Sequence, residues 1–270
     1  MLTGLFAGFV GSIIGIGGGV IMVPVLVLLL DIPIHFAIGT SIVAVLATSI
    51  SASRRYISQK LTNISLGLSL VPFTALGGIT GGLIASRLQS NILLGIFGCF
   101  VLAMTYIIYK RNKKISTRKP VPVSGDSLFG STYYDPGLGK HINYDTRNIP
   151  YGFGASFFAG IASGLLGIGG GVIKVPTLNL LLGLPIKAAA ATSNYMIGLT
   201  AAASSIIYIA QGYVNPFITS AVVIGVLAGG TLGSHAASRV KSLVIIRIMI
   251  VIFALIGINM LLRALGVRFY

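Results

Sequence analysis

The sequence predicts an all-α polytopic membrane protein made of two homologous four-segment repeats, and three observations predict it. Apolar residues fill 55% of the 270 positions and charged residues 9%, with a mean hydropathy of +0.96, outside the range of a soluble domain. Eight apolar segments, at 3–30, 36–53, 66–86, 92–109, 152–182, 188–210, 217–235 and 243–262, are long enough to cross about 30 Å of hydrocarbon. A constant, gapless offset of 152 residues lays the first four of these on the last four.

The first segment is too long and lacks the basic flank of a removable signal peptide. It contains GIGGGVIMVP at 15–24, and the fifth contains GIGGGVIKVP at 167–176. A straight helix over 3–30 would be roughly 40 Å long, whereas two arms of about eleven residues would each reach about 16 Å, half a bilayer. Glycine and proline are the poorest helix formers, and broken backbone at membrane depth is tolerated only where protein or a water-filled cavity satisfies it. Both segments are therefore expected to be glycine-interrupted, re-entrant hairpins. Gly4, Gly8, Gly11 and Gly15 have the spacing of close helix packing.

The second and sixth segments match through Pro33 and Pro185, read as turn residues, through Thr40-Ser41 and Thr192-Ser193, and through Tyr56 and Tyr208. His35 and Lys187 each fall at an end of these segments and read as interfacial. Gly77-Gly78 and Gly229-Gly230 hold the same register in the third and seventh. The fourth contains Cys99, the single cysteine, which excludes an intramolecular disulfide and is read as a small packing residue. The repeats are thus assigned to residues 1–110 and 151–270, joined by a basic linker, 111–150, that follows no helical or strand period and is expected to be irregular.

The net charge of +15 would point to nucleic acid in a soluble protein, but the cations gather at segment ends. Cytoplasmic loops of membrane proteins are enriched in Lys and Arg, which puts the linker inside. If all eight segments span, Arg87, Lys187, Arg239, Lys241 and Arg247 lie outside; if the first and fifth are re-entrant, only Arg87, Arg263 and Arg268 do. The second arrangement, with inverted repeats, obeys the rule better. Eight spans in a parallel repeat are the alternative.

Lys174 is the one cation set well inside an apolar segment, three residues after the second glycine cluster, where the first half has Met22. A charge at membrane depth is expensive and marks a functional site by default. With the glycine clusters Gly17, Gly18, Gly19 and Gly169, Gly170, Gly171, and the hydroxyls and amide of Thr40, Ser41, Thr192, Ser193 and Asn194, it forms the candidate substrate-binding set. Thr48 and Thr200 extend it. Free N–H groups and the helix dipole after Gly171 would add to the pull on an anion. Asn194 stands where the first half has Ile42, so the halves cannot contribute equally.

The doubled G-x-G-G-G-x-x-x-V-P segment resembles the mark of the TauE/SafE family of sulfite and organosulfonate exporters. The resemblance covers both halves and implies a permease for a small inorganic or organic anion, without fixing which one. GIGGGV lacks the Lys-Ser/Thr of a phosphate loop and the acidic partner of a dinucleotide fold. There is no glutamate, and the four aspartates, Asp31, Asp126, Asp135 and Asp145, sit at a segment end or in the linker, so no intramembrane carboxylate relay exists. No catalytic set is visible, and neither an enzyme, a metal nor another cofactor is expected. The expected partners are the anion and the lipid bilayer of the cell membrane, not nucleic acid; a homo-oligomer stays open, as does sodium held by backbone carbonyls. An anion channel, or an assembly protein that transports nothing, is the alternative function.

Overall fold

A computed structural model describes residues 1–111, 129–135, 139–236 and 242–266. The helices are α1 (Leu2–Ile14), α2 (Gly19–Leu30), α3 (Ile34–Ser58), α4 (Ile64–Arg87), α5 (Ser90–Arg111), α6 (Ile149–Leu166), α7 (Gly171–Pro176), α8 (Ile186–Ala210), α9 (Pro216–Ala236) and α10 (Ser242–Ala264). A π-helical turn, Thr177–Leu181, continues α7. Among the described residues the protein is all-α apart from one antiparallel pair of strands, β1 (Ser131–Asp135) and β2 (Lys140–Tyr144).

By length and composition α3, α4, α5, α6 and α9 are each able to cross a membrane. Helix α8 matches α3 in length, at 25 residues, but carries Asn194 where α3 has Ile42. The first apolar stretch is two arms of 13 and 12 residues, about 20 and 18 Å long. The chain turns through left-handed φ values at Gly15 (81°), Gly17 (81°) and Gly18 (78°), and again at Gly167 (69°), Gly169 (72°) and Gly170 (69°). Such angles strain any residue bearing a Cβ. Gly18 lies on the backbone of Ala7 and Gly8, so the chain folds back along α1, and Gly170 lies likewise on Ala159. The sequence placed both breaks correctly.

Packing runs between the halves. Helix α1 lies along α9 and α6 along α4, each pair pointing the same way: Gly4 meets Val222 and Val226 while Gly8 meets Val226 and Gly230, and Gly160 meets Thr74 and Gly77 while Gly164 meets Gly78 and Gly82. The small residues let the backbones approach, as their spacing indicated. Helices α3 and α8 cross antiparallel, Ala52 beside Ala191 and Ser49 beside Asn194. Helices α5 and α10 are antiparallel too, with Gly98 on Leu261 and Gly257 on Leu102. The 152-residue offset carries each of these pairs onto itself or its counterpart, as a two-fold axis between the halves would.

Three expectations need correction. The linker is not irregular throughout: β1 and β2 form a hairpin whose Tyr133 and Tyr144 are buried with Leu66, Leu178, Leu182 and Met196. Its foot is pinned by the Asn63 amide donating to the Phe129 carbonyl (2.9 Å). Burial of Tyr144 raises its pKa, against opposing hydrogen bonds from Ser131 and Asn63. Only Tyr133 in β1 and Ile142 and Tyr144 in β2 turn inward, an alternation too short to stand out in a polar connection. Cys99 is exposed on α5, not packed inside. His35 is more than interfacial, since its Nε2 lies 3.2 and 3.1 Å from the Ala85 and Leu88 carbonyls at the end of α4, and its ring stacks on Tyr213.

A Cβ at Gly77 would strike the Phe157 carbonyl, and one at the matching Gly229 the Leu5 carbonyl. Gly77→Ala and Gly229→Ala should each lower stability by about 1–3 kcal/mol, read as a fall in melting temperature in detergent. Gly154→Ala, which meets nothing within 4 Å, should leave it unchanged.

Candidate functional site

The two glycine turns meet at the crossing of α3 and α8. Gly17 and Gly169 both face the methyl groups of Val45 and Ile197, Gly19 faces the Gly167 carbonyl, and Gly171 faces that of Gly15. Val45 and Ile197 are themselves one offset apart.

Helix α1 and helix α6 both end inside the protein, and a helix end leaves carbonyls without intrahelical partners. Side chains supply them in matched pairs. The Ser193 hydroxyl donates to the Gly15 carbonyl (3.0 Å) and Ser41 to the Gly167 carbonyl (2.7 Å). The Tyr56 hydroxyl donates to the Ser12 carbonyl (2.9 Å) and Tyr208 to the Gly164 carbonyl (2.7 Å). The Asn194 amide adds a second donor to Ser12 (3.2 Å), its own carbonyl accepts from the Ser49 hydroxyl, and its buried Oδ1 has no protein partner. Among the sequence candidates, Gly17–Gly19, Gly169–Gly171, Ser41, Ser193 and Asn194 are thus brought together, with their polar groups turned largely on one another. Thr40 and Thr192 lie apart: Thr40 accepts from the Thr219 hydroxyl (3.3 Å) and Thr192 from the Asn63 N–H (3.0 Å).

Lys174 is 2% exposed. Its Nζ donates to the Thr200 hydroxyl (2.9 Å) and approaches the Gly169 carbonyl (3.5 Å); Thr200 in turn donates to the Met196 carbonyl or the Thr74 hydroxyl, both at 2.8 Å. Among the described residues no carboxylate lies within ion-pair distance of it. Lys174 lines a narrow crevice together with Ala155, Ser156, Thr177, Leu178 and Met196, too tight in this structure to hold a water molecule. Helix α7 lasts six residues before the π-helical turn, which leaves little macrodipole; the lysine charge itself is the source of attraction for an anion. The matching positions in the first half, Thr3, Gly4, Met22, Val25, Leu26 and Ala44, carry no cation.

Sequence reasoning missed Thr74, Ser156, Thr177 and the π-helical turn. The usable signal was the set of places where the repeat departs from itself: Thr74 against Val226, Thr177 against Val25, Asn179 against Val27. Asn179 donates its side-chain amide to the Leu184 carbonyl (2.7 Å), holding the widened turn. Such π-type insertions recur at functional sites.

The chain matches the model of the sulfite exporter TauE/SafE family over residues 1–260. It belongs to that family. A Bacillus subtilis relative named "Probable membrane transporter protein YunE" is 30% identical, over 97% of this chain and 96% of the relative. A Haemophilus influenzae relative, "Probable membrane transporter protein", is 28% identical over 97% of each. An Arabidopsis thaliana protein named "Sulfite exporter TauE/SafE family protein 6" is 38% identical over 32% of this chain and 20% of its own length. No solved structure gives a significant match. The family and its relatives make this chain an integral, multi-pass membrane transporter.

Removing the Thr200 hydroxyl would strand a buried ammonium, and losing the partner of a buried charged donor costs about 1–3 kcal/mol. Thr200→Val should therefore melt measurably lower than wild type. Thr48→Val, at the matching position where the hydroxyl serves only the Ala44 carbonyl of its own helix (2.9 Å), should stay within about 0.5 kcal/mol.

Proposed function

We propose that this chain is a secondary transporter, a permease without catalytic activity, that moves a small anion such as sulfite or an organosulfonate across the cell membrane. The observation that carries the reading is Lys174, a cation buried to 2% exposure with hydroxyl and carbonyl partners but no carboxylate among the described residues. A buried charge normally has a counter-charge, and a transported anion supplies one. Lys174 lies beside the meeting point of the glycine turns, and its partner Thr200 reaches Thr74 of the first repeat, which supports a site at the junction of the two repeats, 1–110 and 151–270, on the side of the second. The printed family name, sulfite exporter, favours the same substrate class.

In this reading the α1–α2 arms and the α6–α7 arms dip to the midplane from opposite faces, and the linker 111–150 lies in the cytoplasm. The antiparallel crossings α3–α8 and α5–α10 support inverted repeats, because a parallel repeat would run each of those pairs in one direction. Inverted repeats with broken segments near the midplane are a recurrent transporter plan. The Arg263–Asp31 ion pair (2.8 Å) and the Arg263 bond to the Val27 carbonyl (2.7 Å) then tie α10 to the end of α2 at the outer face.

In proteoliposomes, Lys174→Met should fold like wild type, since methionine stands at the matching position 22, yet lose anion flux. A charge-assisted contact is worth about 1.5–3 kcal/mol, or roughly ten- to a hundredfold in affinity. Adding Met22→Lys should not restore it. Unaltered sulfite and sulfonate binding in a monodisperse Lys174→Met protein would refute the lysine's role.

For topology, single cysteines at Leu2 and Leu265, 84% and 80% exposed, in a Cys99→Ala background should both react with an impermeant reagent from outside the cell. A cysteine at Lys140 should react only after permeabilisation. Protection of both terminal sites would favour eight spans in a parallel repeat.

A further inference from the structure

The proposed site is built on a single charge. Lys174 is the only lysine or arginine among the fully buried polar residues described. The crevice beside it is otherwise neutral, lined by the hydroxyl-bearing Ser156 and Thr177 and by the apolar Ala155, Leu178 and Met196. Thr200 and Thr74, which hold the ammonium in place, are neutral too. Away from the crevice, the partly exposed Arg263 is held by Asp31 and the Val27 carbonyl. No second cation faces the crevice among the described residues, and the matching positions of the first half offer none.

Charge balance follows. A singly charged anion and the Lys174 ammonium make a neutral pair, which apolar surroundings tolerate when the remaining oxygens find hydroxyl donors. A doubly charged anion of the same size leaves one net negative charge facing hydroxyls and hydrocarbon, and an unpaired charge out of water is strongly disfavoured. The greater hydration of the dianion acts in the same direction. Resting on the transport reading above, we propose that this site selects its substrate by charge, taking monovalent oxyanions, sulfite as hydrogensulfite among them, and rejecting divalent ones of like shape, with Lys174 and the neutral Ser156 and Thr177 beside it as the specificity determinants.

Methanesulfonate and sulfate are both tetrahedral oxyanions and differ by one charge. Binding of each to the purified full-length protein, at equal ionic strength, should favour methanesulfonate by about tenfold or more, since each tenfold corresponds to only a modest differential interaction. Thr177→Lys places a second cation on the crevice wall and should narrow or reverse that preference by raising sulfate affinity. Sulfate binding wild type as tightly as methanesulfonate, with both lost in Lys174→Met, would overturn charge selection while leaving the transport reading intact. Failure of every small anion to bind wild type would remove the transport reading, and the selectivity with it. If Thr177→Lys does not fold, the wild-type comparison decides alone.

Discussion

Two helices that end in the middle of an apolar protein impose the constraint from which the rest of the structure follows. The carbonyls at the ends of α1 and α6 have lost their intrahelical donors, and no water is at hand in such surroundings to replace them. Ser193 and Ser41 reach across to the last carbonyls of the opposite half, and Tyr56 and Tyr208 reach the carbonyls three residues earlier in their own half. Each hairpin is therefore completed by residues of both repeats. The α3–α8 crossing, the side-by-side glycine turns and the close α1–α9 and α4–α6 contacts are one arrangement, and removing one repeat would leave the other with stranded polar groups.

Against this symmetric frame one group of departures gathers at the crevice. Lys174, Thr177 and Asn179 replace Met22, Val25 and Val27 on the second arm of the second hairpin, and Thr74, against Val226, lies on α4 within hydrogen-bonding reach of Thr200. The first arm continues as regular helix through Pro24, whereas the second passes into a π-helical turn after Pro176. One half thus keeps an apolar, helical version of the motif, and the other converts it into a polar crevice. A substrate path needs only one such crevice if the halves serve as frame and site.

The linker bears on the same region. Its hairpin buries Tyr133 and Tyr144 in a cluster that includes Leu178 and Met196, both on the crevice wall. Beyond the hairpin, the Arg147 N–H and the Asn148 amide donate to the Leu182 and Leu181 carbonyls (3.0 and 3.2 Å), at the end of the π-helical turn. The connection between the repeats is therefore joined to the element that lines the crevice.

Much of this was determined by the sequence alone. Composition and segment length sufficed for the membrane class, because hydrocarbon has one requirement and every residue reports on it. The repeat and the helix breaks were legible because glycine and proline act locally, through φ and a missing N–H. Lys174 stood out because a charge in an apolar run is costly wherever it points. Tertiary structure alone decided what each polar group serves. Ser41 and Ser193 look like ligand hydroxyls in sequence and are caps of helices some 126 and 178 residues away; Thr74 looks like an ordinary helix threonine and completes the Lys174–Thr200 chain. Hydrogen bonds act over about 3 Å of space, and sequence separation carries no information about which carbonyl will lie within that reach.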